Sequence, residues 1–262
     1  MSRIAAAFAT CAAANSAAFI PFIMGGDPSL EACAKLLDAL SGAGADIIEL
    51  GIPFSDPMAD GPVIQAAGLR ALNAGATLKG LLELVRQFRK THATPIVLMG
   101  YVNPVYIYGY KEFARDAAAA GVDGIIIVDV PPEEAAEIEP LLSKSGIAFV
   151  RLIAPTSVPE RLPLLSQGAS GYLYYISITG ITGAASASAT DVKTNLAAIR
   201  KATNLPVCVG FGIKTPEDVK GFASMADGVV VGSAIVRFIE ESHGDVEQFR
   251  VYVRALADGC QR

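Results

Sequence analysis

The sequence predicts an α/β chain whose strands close into an eight-fold β/α barrel. Short apolar or β-branched runs alternate with longer amphipathic stretches along all 262 residues, about eight such runs can be counted, and no Pro/Ser/Gly-rich linker interrupts the series. Residues 1–262 therefore read as one domain, because a barrel keeps roughly 250 residues around a single core. A doubly wound open sheet is the alternative. It would normally carry a Gly-rich dinucleotide turn after its first strand, and Gly25-Gly26-Asp27 is not one.

The predicted strands are Phe19 to Met24, Asp46 to Ile52, Pro95 to Met99, Gly124 to Val128, Ala148 to Ile153, Tyr172 to Ile176, Val207 to Val209 and Gly228 to Val231. The stretches between them carry helix punctuation. Thr215-Pro216-Glu217-Asp218 offers a hydroxyl cap, a proline at the first helical position and two acids in the electropositive first turn. Asp27-Pro28 and Pro132-Glu133-Glu134 look like the same device, and Gly44, Gly121 and Gly146 stand where a left-handed residue ends a helix before the next strand. The alanine-rich start, Met1 to Ile20 with Arg3, is too weakly apolar for the core of a signal peptide, and no apolar run reaches the ~20 residues of a membrane span. A cytoplasmic chain is expected.

Composition excludes several chemistries. Lys and Arg total 21 against 26 Asp and Glu, a net charge of −5 with no basic run, so neither nucleic acid nor an anionic membrane is an expected partner. His92 and His243 are the only histidines, and Cys11, Cys33, Cys208 and Cys260 are widely spaced, which leaves no metal site and no redox pair to expect. The lysines fall in predicted helices or their flanks, apart from Lys214 beyond a strand, so no strand-borne Schiff-base lysine is evident. Carbon–carbon cleavage here would need its electron sink in the substrate, such as an aromatic heterocycle.

In a β/α barrel the reactive groups project from the C-terminal strand ends. Glu49 lies in the apolar run Ile47-Ile-Glu-Leu-Gly-Ile52; turned inward, it would be desolvated, with a pKa raised toward neutrality that lets it donate and accept a proton. The alternative is a structural carboxylate paired with a distant Arg or Lys. The loop Pro53-Phe-Ser-Asp-Pro-Met-Ala-Asp-Gly-Pro62 is stiffened by three prolines and holds Asp56 and Asp60, either a turn former or a group facing the barrel mouth. Thr182-Gly183, Gly210-Phe-Gly212 and Gly232-Ser233-Ala234 follow the sixth, seventh and eighth strands, where backbone N–H groups at a helix start bind phosphate in such barrels.

The segment from Glu49 to Pro62 resembles the signature of the tryptophan synthase alpha subunit. The resemblance extends through Pro21-Phe-Ile-Met-Gly-Gly-Asp-Pro28, Met99-Gly-Tyr-Val-Asn-Pro104, Val128-Asp-Val-Pro131, Gly180-Ile-Thr-Gly183, Gly210-Phe-Gly-Ile213 and Gly232-Ser-Ala-Ile-Val236, covering nearly all of the chain from Ala18 onward. It implies an eight-fold barrel with an extra N-terminal helix that cleaves indole-3-glycerol phosphate to indole and glyceraldehyde 3-phosphate. It also implies a pyridoxal-phosphate beta subunit as partner in an alpha-beta-beta-alpha complex, with no cofactor or metal in this chain. Carried over, Glu49 transfers the proton and Asp60 is the carboxylate beside the indole N–H. Phe22, Tyr101, Ile127, Asp129, Tyr174, Thr182 and Phe211 fall at indole-pocket or supporting positions, and Gly183, Gly212, Gly232 and Ser233 at phosphate positions. Asp56, Pro57, Asn103 and Pro104 fall on the face that meets the beta subunit. One departure is visible: some members carry a basic residue in the loop after the sixth strand, whereas residues 178–189 are uncharged here. Other phosphate-binding barrels, isomerases or the preceding indole-glycerol-phosphate synthase, generally need a strand-end Lys, His or metal set that this sequence lacks. A non-catalytic partner barrel would have no need of Glu49 and Asp60.

Overall fold

The structure is a computed structural model and describes residues 1–155, 157, 159–176, 189–210 and 212–262. Strands β1 (Ala18–Met24), β2 (Ile48–Gly51), β3 (Ile96–Gly100), β4 (Gly124–Ile127), β5 (Ala148–Ile153), β6 (Leu173–Ile176), β7 (Val207–Gly210) and β8 (Gly228–Val231) pair in parallel and in chain order, and β8 returns to β1 to close the barrel. Helix α1 (Arg3–Ala13) precedes β1 and α2 (Leu30–Gly42) follows it; α3 (Pro62–Asn73) and α4 (Leu78–Phe88) follow β2; α5 (Val102–Tyr108) and α6 (Tyr110–Ala120) follow β3. Then α7 (Glu139–Lys144), α8 (Leu162–Ser166), α9 (Ala189–Ala202) and α10 (Pro216–Ala223) follow β4 to β7, and α11 (Ser233–Glu241) and α12 (Val246–Asp258) follow β8.

Every predicted strand is present, with ends displaced by at most two residues. The largest displacement is at the start of β2, where Asp46 lends its carboxylate to the Phe19 N–H at 2.8 Å ahead of the strand. The capping box of α10 forms as expected between Thr215 and Asp218. Asp27-Pro28 does not cap a helix: Ser29 does, its Oγ accepting the Ala32 N–H at 3.1 Å, because the Asp27 carboxylate is taken up by Arg70. Pro132 opens a 3₁₀ turn, Pro132–Glu137, with Glu133 and Glu134 in its first turn but no side-chain cap. Gly44, Gly121 and Gly146 hold φ of 103°, 89° and 73°, the left-handed backbone their positions require.

Alternation along the strands divides the apolar residues between two layers. Outward residues such as Ile48, Leu50, Leu98 and Ile125 pack beneath the helices, whereas Ala18, Ile20, Ile47, Val97, Ile126, Val150, Tyr172, Tyr174, Cys208 and Val230 fill the barrel. Ile4, Phe8 and Cys11 of α1 belong to the inner cluster, so the extra N-terminal helix plugs the bottom of the barrel. Gly124 makes room for it, since a Cβ there would lie 3.3 Å from Ile4 Cδ1. Asp123 fixes the plug: its carboxylate takes the Arg3 and Arg89 guanidiniums and the Ile96 N–H. With that end filled, the C-terminal mouth is left for chemistry. Among the described residues no helix is long and apolar enough to cross a membrane.

Candidate active site

Glu49 is the acidic side chain that the barrel interior encloses completely, at 0% exposure. It is in register with Phe22 of β1 and Val97 of β3. Oε1 accepts the Tyr172 hydroxyl at 2.6 Å, and Oε2 is buried with no hydrogen-bond partner among the described residues. Burial drives its pKa up to about 7, offset in part by the Tyr172 hydrogen bond, so the group is poised between acid and base near neutrality. Its partner is a tyrosine and not the cation of the structural alternative.

Asp60 closes the proline-stiffened loop and lies just ahead of α3, whose first residues are the N-cap Gly61 and Pro62 at N1. Burial raises its pKa to about 6, offset in part by a hydrogen bond from Tyr101. The Tyr101 hydroxyl also accepts the Ala59 N–H at 3.0 Å, so one phenol fixes both the loop and its carboxylate. Tyr101 is itself the N-cap residue of α5, and Asp129 secures that helix by accepting the Val102 N–H at 2.8 Å. Tyr101 and Asp129 thus stand behind the reacting groups.

Both carboxyls face one cleft of about 200 Å³, walled by Phe22, Met99, Leu152, Tyr174 and Ile176. Glycine is required beside the rings: a Cβ on Gly51 would come within 2.7 Å of Phe22 Cζ, and one on Gly210 within 2.5 Å of the Tyr174 hydroxyl oxygen. Gly212, Lys214, Gly232 and Ser233 line the same cleft from the loops after β7 and β8. Gly232 is the N-cap of α11, no side chain caps that helix and its first turn holds no acid, which leaves its first N–H groups and the positive end of its dipole for an anion. Arg70 holds this helix in place, gripping Asp27 through two bonds of 2.8 Å and reaching Glu240 of α11 at 3.0 Å.

Of the residues singled out from sequence, Glu49, Asp60, Phe22, Tyr174, Gly212, Gly232 and Ser233 meet in the cleft. Ile127 does not: alternation turns it outward among the residues under the helices, and Val128 lines the cleft in its stead. Asp56 and Asn103 are exposed, Pro57 and Pro104 half-buried, on the loop after β2 and the start of α5. Thr182, Gly183 and Phe211 lie outside the described residues. Sequence reasoning missed Tyr172, whose two-residue spacing from Tyr174 was the available signal for a shared face. It also missed Met99, Leu152 and Ile176, whose apolar character matches ordinary core, and Lys214 as part of the cleft.

A closed β/α barrel with a desolvated carboxyl near neutrality, a second carboxylate on the same cleft and an uncapped helix start lining it belongs to the class of barrel enzymes that move protons on a largely apolar substrate with an anionic tail. Residues 8–261 match the family described as tryptophan synthase alpha chain. The tryptophan synthase subunit alpha of Legionella pneumophila strain Paris is 40% identical, with a TM-score of 0.91, over 99% of this chain and 98% of that one. The Mycobacterium tuberculosis tryptophan synthase structure is 35% identical, with a TM-score of 0.92, over 100% of this chain and 99% of that one. The chain belongs to the tryptophan synthase alpha chain family. It is a carbon–carbon lyase that cleaves indole-3-glycerol phosphate to indole and glyceraldehyde 3-phosphate, the indole passing to the beta subunit.

The buried carboxyl has a cost that stability measurements read. Burial raises the folded-state pKa of Glu49 from the ordinary glutamate value of 4.5 to about 7, so its stabilising contribution is complete below 4.5 and is lost as pH rises through 7. Glu49→Gln keeps an acceptor for Tyr172 without the charge. Urea denaturation is expected to find the variant more stable than the parent by about 3 kcal/mol at pH 8 and equal to it near pH 4. A difference that does not change with pH contradicts the assignment.

Proposed function

We propose that Glu49 carries both proton transfers of the cleavage and that Asp60 stabilises the charge that develops on the ring. The observation that supports this is the free Oε2 of Glu49, buried in the cleft that Asp60 also lines. Protonated Glu49 delivers its proton to C3 of the indole, giving an iminium-like ring. The carboxylate left behind accepts the proton of the adjacent glycerol hydroxyl. As that O–H electron pair becomes the aldehyde C=O, the carbon–carbon bond opens and its electrons return to the ring. Proton count is conserved, because one carboxyl first gives and then takes. Asp60, ionised, accepts the indole N1–H and offsets the positive charge of the ring. Phe22 and Tyr174 enclose the indole. The phosphate is received by backbone N–H groups of Gly232 and Ser233 at the start of α11 and of Gly212 in the loop after β7, with Gly183 assigned there by family resemblance alone.

We assign no cofactor or metal to this chain; pyridoxal phosphate belongs to the beta partner. The docking face comprises Asp56, Pro57, Asn103 and Pro104, supported by the exposed apolar side chains of Met58, Tyr106 and Ile107 on the same two segments. The Phe54 and Tyr101 rings meet tilted at 34° with centroids 5.4 Å apart, so pressure on this face reaches the loop that carries Asp60. The complex is alpha-beta-beta-alpha and its setting cytoplasmic.

Activity requires ionised Asp60 and protonated Glu49. The profile of kcat/KM against pH is therefore a narrow bell, falling below about 6 as Asp60 is protonated and above about 7 as Glu49 loses its proton. Glu49→Gln and Asp60→Asn each lower the rate of indole release by about 10²–10⁴-fold with an unchanged circular-dichroism spectrum. Near-normal turnover in either folded variant removes its role. For the partner, calorimetric titration with a beta subunit is expected to show Asp56→Ala weakening association by roughly tenfold and lowering the stimulated rate more than the chain's own rate. Unchanged affinity and stimulation take this loop out of the interface.

A further inference from the structure

We infer that Lys214 is the cationic ligand of the substrate phosphate, facing it from the loop after β7 while the start of α11 supplies neutral N–H donors. The assignment rests on the phosphate position proposed above.

The charge balance of the cleft carries it. The charged residues lining it are Glu49, Asp60 and Lys214. Positions 156, 158, 177–188 and 211, the remainder of the chain, contain no Lys or Arg, so no second cation can come from them. A phosphate dianion entering the cleft meets the like charge of ionised Asp60, and among the described lining residues Lys214 is the one cation that offsets it. The chain's net charge of −5 adds to that repulsion at long range.

The local geometry suits the role. The Lys214 N–H donates to Asp218 Oδ2 at 3.0 Å and its carbonyl accepts the Tyr252 hydroxyl at 3.4 Å, so both backbone groups are held. The Asp218 carboxylate is itself committed to backbone, accepting the Lys214 and Thr215 N–H groups in the capping box of α10. The Lys214 side chain is exposed, and its ammonium makes no ion pair within 4.0 Å among the described residues. Gly212, two residues earlier, Gly232 and Ser233 line the same cleft as Lys214. The uncharged loop of residues 178–189 lacks the basic residue some relatives carry there, and Lys214 places a positive charge at the cleft from a different strand end.

The test measures binding of glycerol 3-phosphate and, separately, of indole by calorimetry to the full chain, its Lys214→Gln and Lys214→Arg variants, and Gly232→Asp. Lys214→Gln is expected to weaken glycerol 3-phosphate about five- to tenfold with a change in indole affinity under about twofold, and Lys214→Arg to recover most of the loss. In turnover, KM for indole-3-glycerol phosphate rises by more than kcat falls. Raising the salt concentration narrows the gap between parent and Lys214→Gln. Equal glycerol 3-phosphate affinity in parent and Lys214→Gln at low salt overturns the assignment even when Gly232→Asp abolishes binding. If Gly232→Asp leaves glycerol 3-phosphate affinity untouched, the phosphate position itself is wrong and the role of Lys214 falls with it.

Discussion

Glu49 is an ionisable group on a strand whose neighbours are apolar, fully enclosed, with one oxygen held by Tyr172 and the other unpaired among the described residues. A surface glutamate would be ionised and hydrated at neutral pH, unable to give a proton to carbon. Withdrawing it from water moves its pKa to about 7, and a single neutral hydrogen bond orients it without reversing that shift. A salt bridge at this position would hold the carboxylate ionised and end its use as an acid.

The surrounding barrel is arranged to keep that environment intact. Helix α1 seals the bottom with Ile4, Phe8 and Cys11, and Asp123 ties it down through Arg3 and Arg89, so the approach to Glu49 is from the C-terminal mouth. At the mouth the ionic groups play framing parts. Arg70 joins the loop after β1, α3 and α11, which connects the helix following Asp60 to the helix whose uncapped start lines the cleft. Tyr101 and Asp129 brace the loop of Asp60 in the same manner through α5. The two carboxyls, the start of α11 and the apolar side chains of Phe22, Met99, Leu152 and Ile176 line a single cleft.

Much of this was legible in the chain because the signals were local. Strand runs, glycine stops and the Thr215 capping box are fixed by short stretches of sequence, and all appear where expected. Glu49 stood out because an acid in an apolar strand has few benign explanations. What escaped depended on residues distant in sequence. Asp27-Pro28 looked like a helix start, but its carboxylate is taken by Arg70, 43 positions away. Tyr172 meets Glu49 across 123 positions, and its hydroxyl gives no local sign of that use. Ile127 and Val128 exchange places because one residue of slip turns a side chain from one face of a strand to the other. Nothing in the sequence around Lys214 signals a place in the cleft, because its presence in the lining is a property of barrel closure.

The most direct measurement is the titration of Glu49 itself, followed through the carboxyl carbon by ¹³C NMR of chain labelled at glutamate, with Glu49→Gln identifying the resonance. Desolvation inside the barrel predicts an inflection near pH 7 for Glu49, shifted downward in any variant that opens the bottom of the barrel to water. An inflection near 4.5, the value of an exposed glutamate, would contradict the account at its centre.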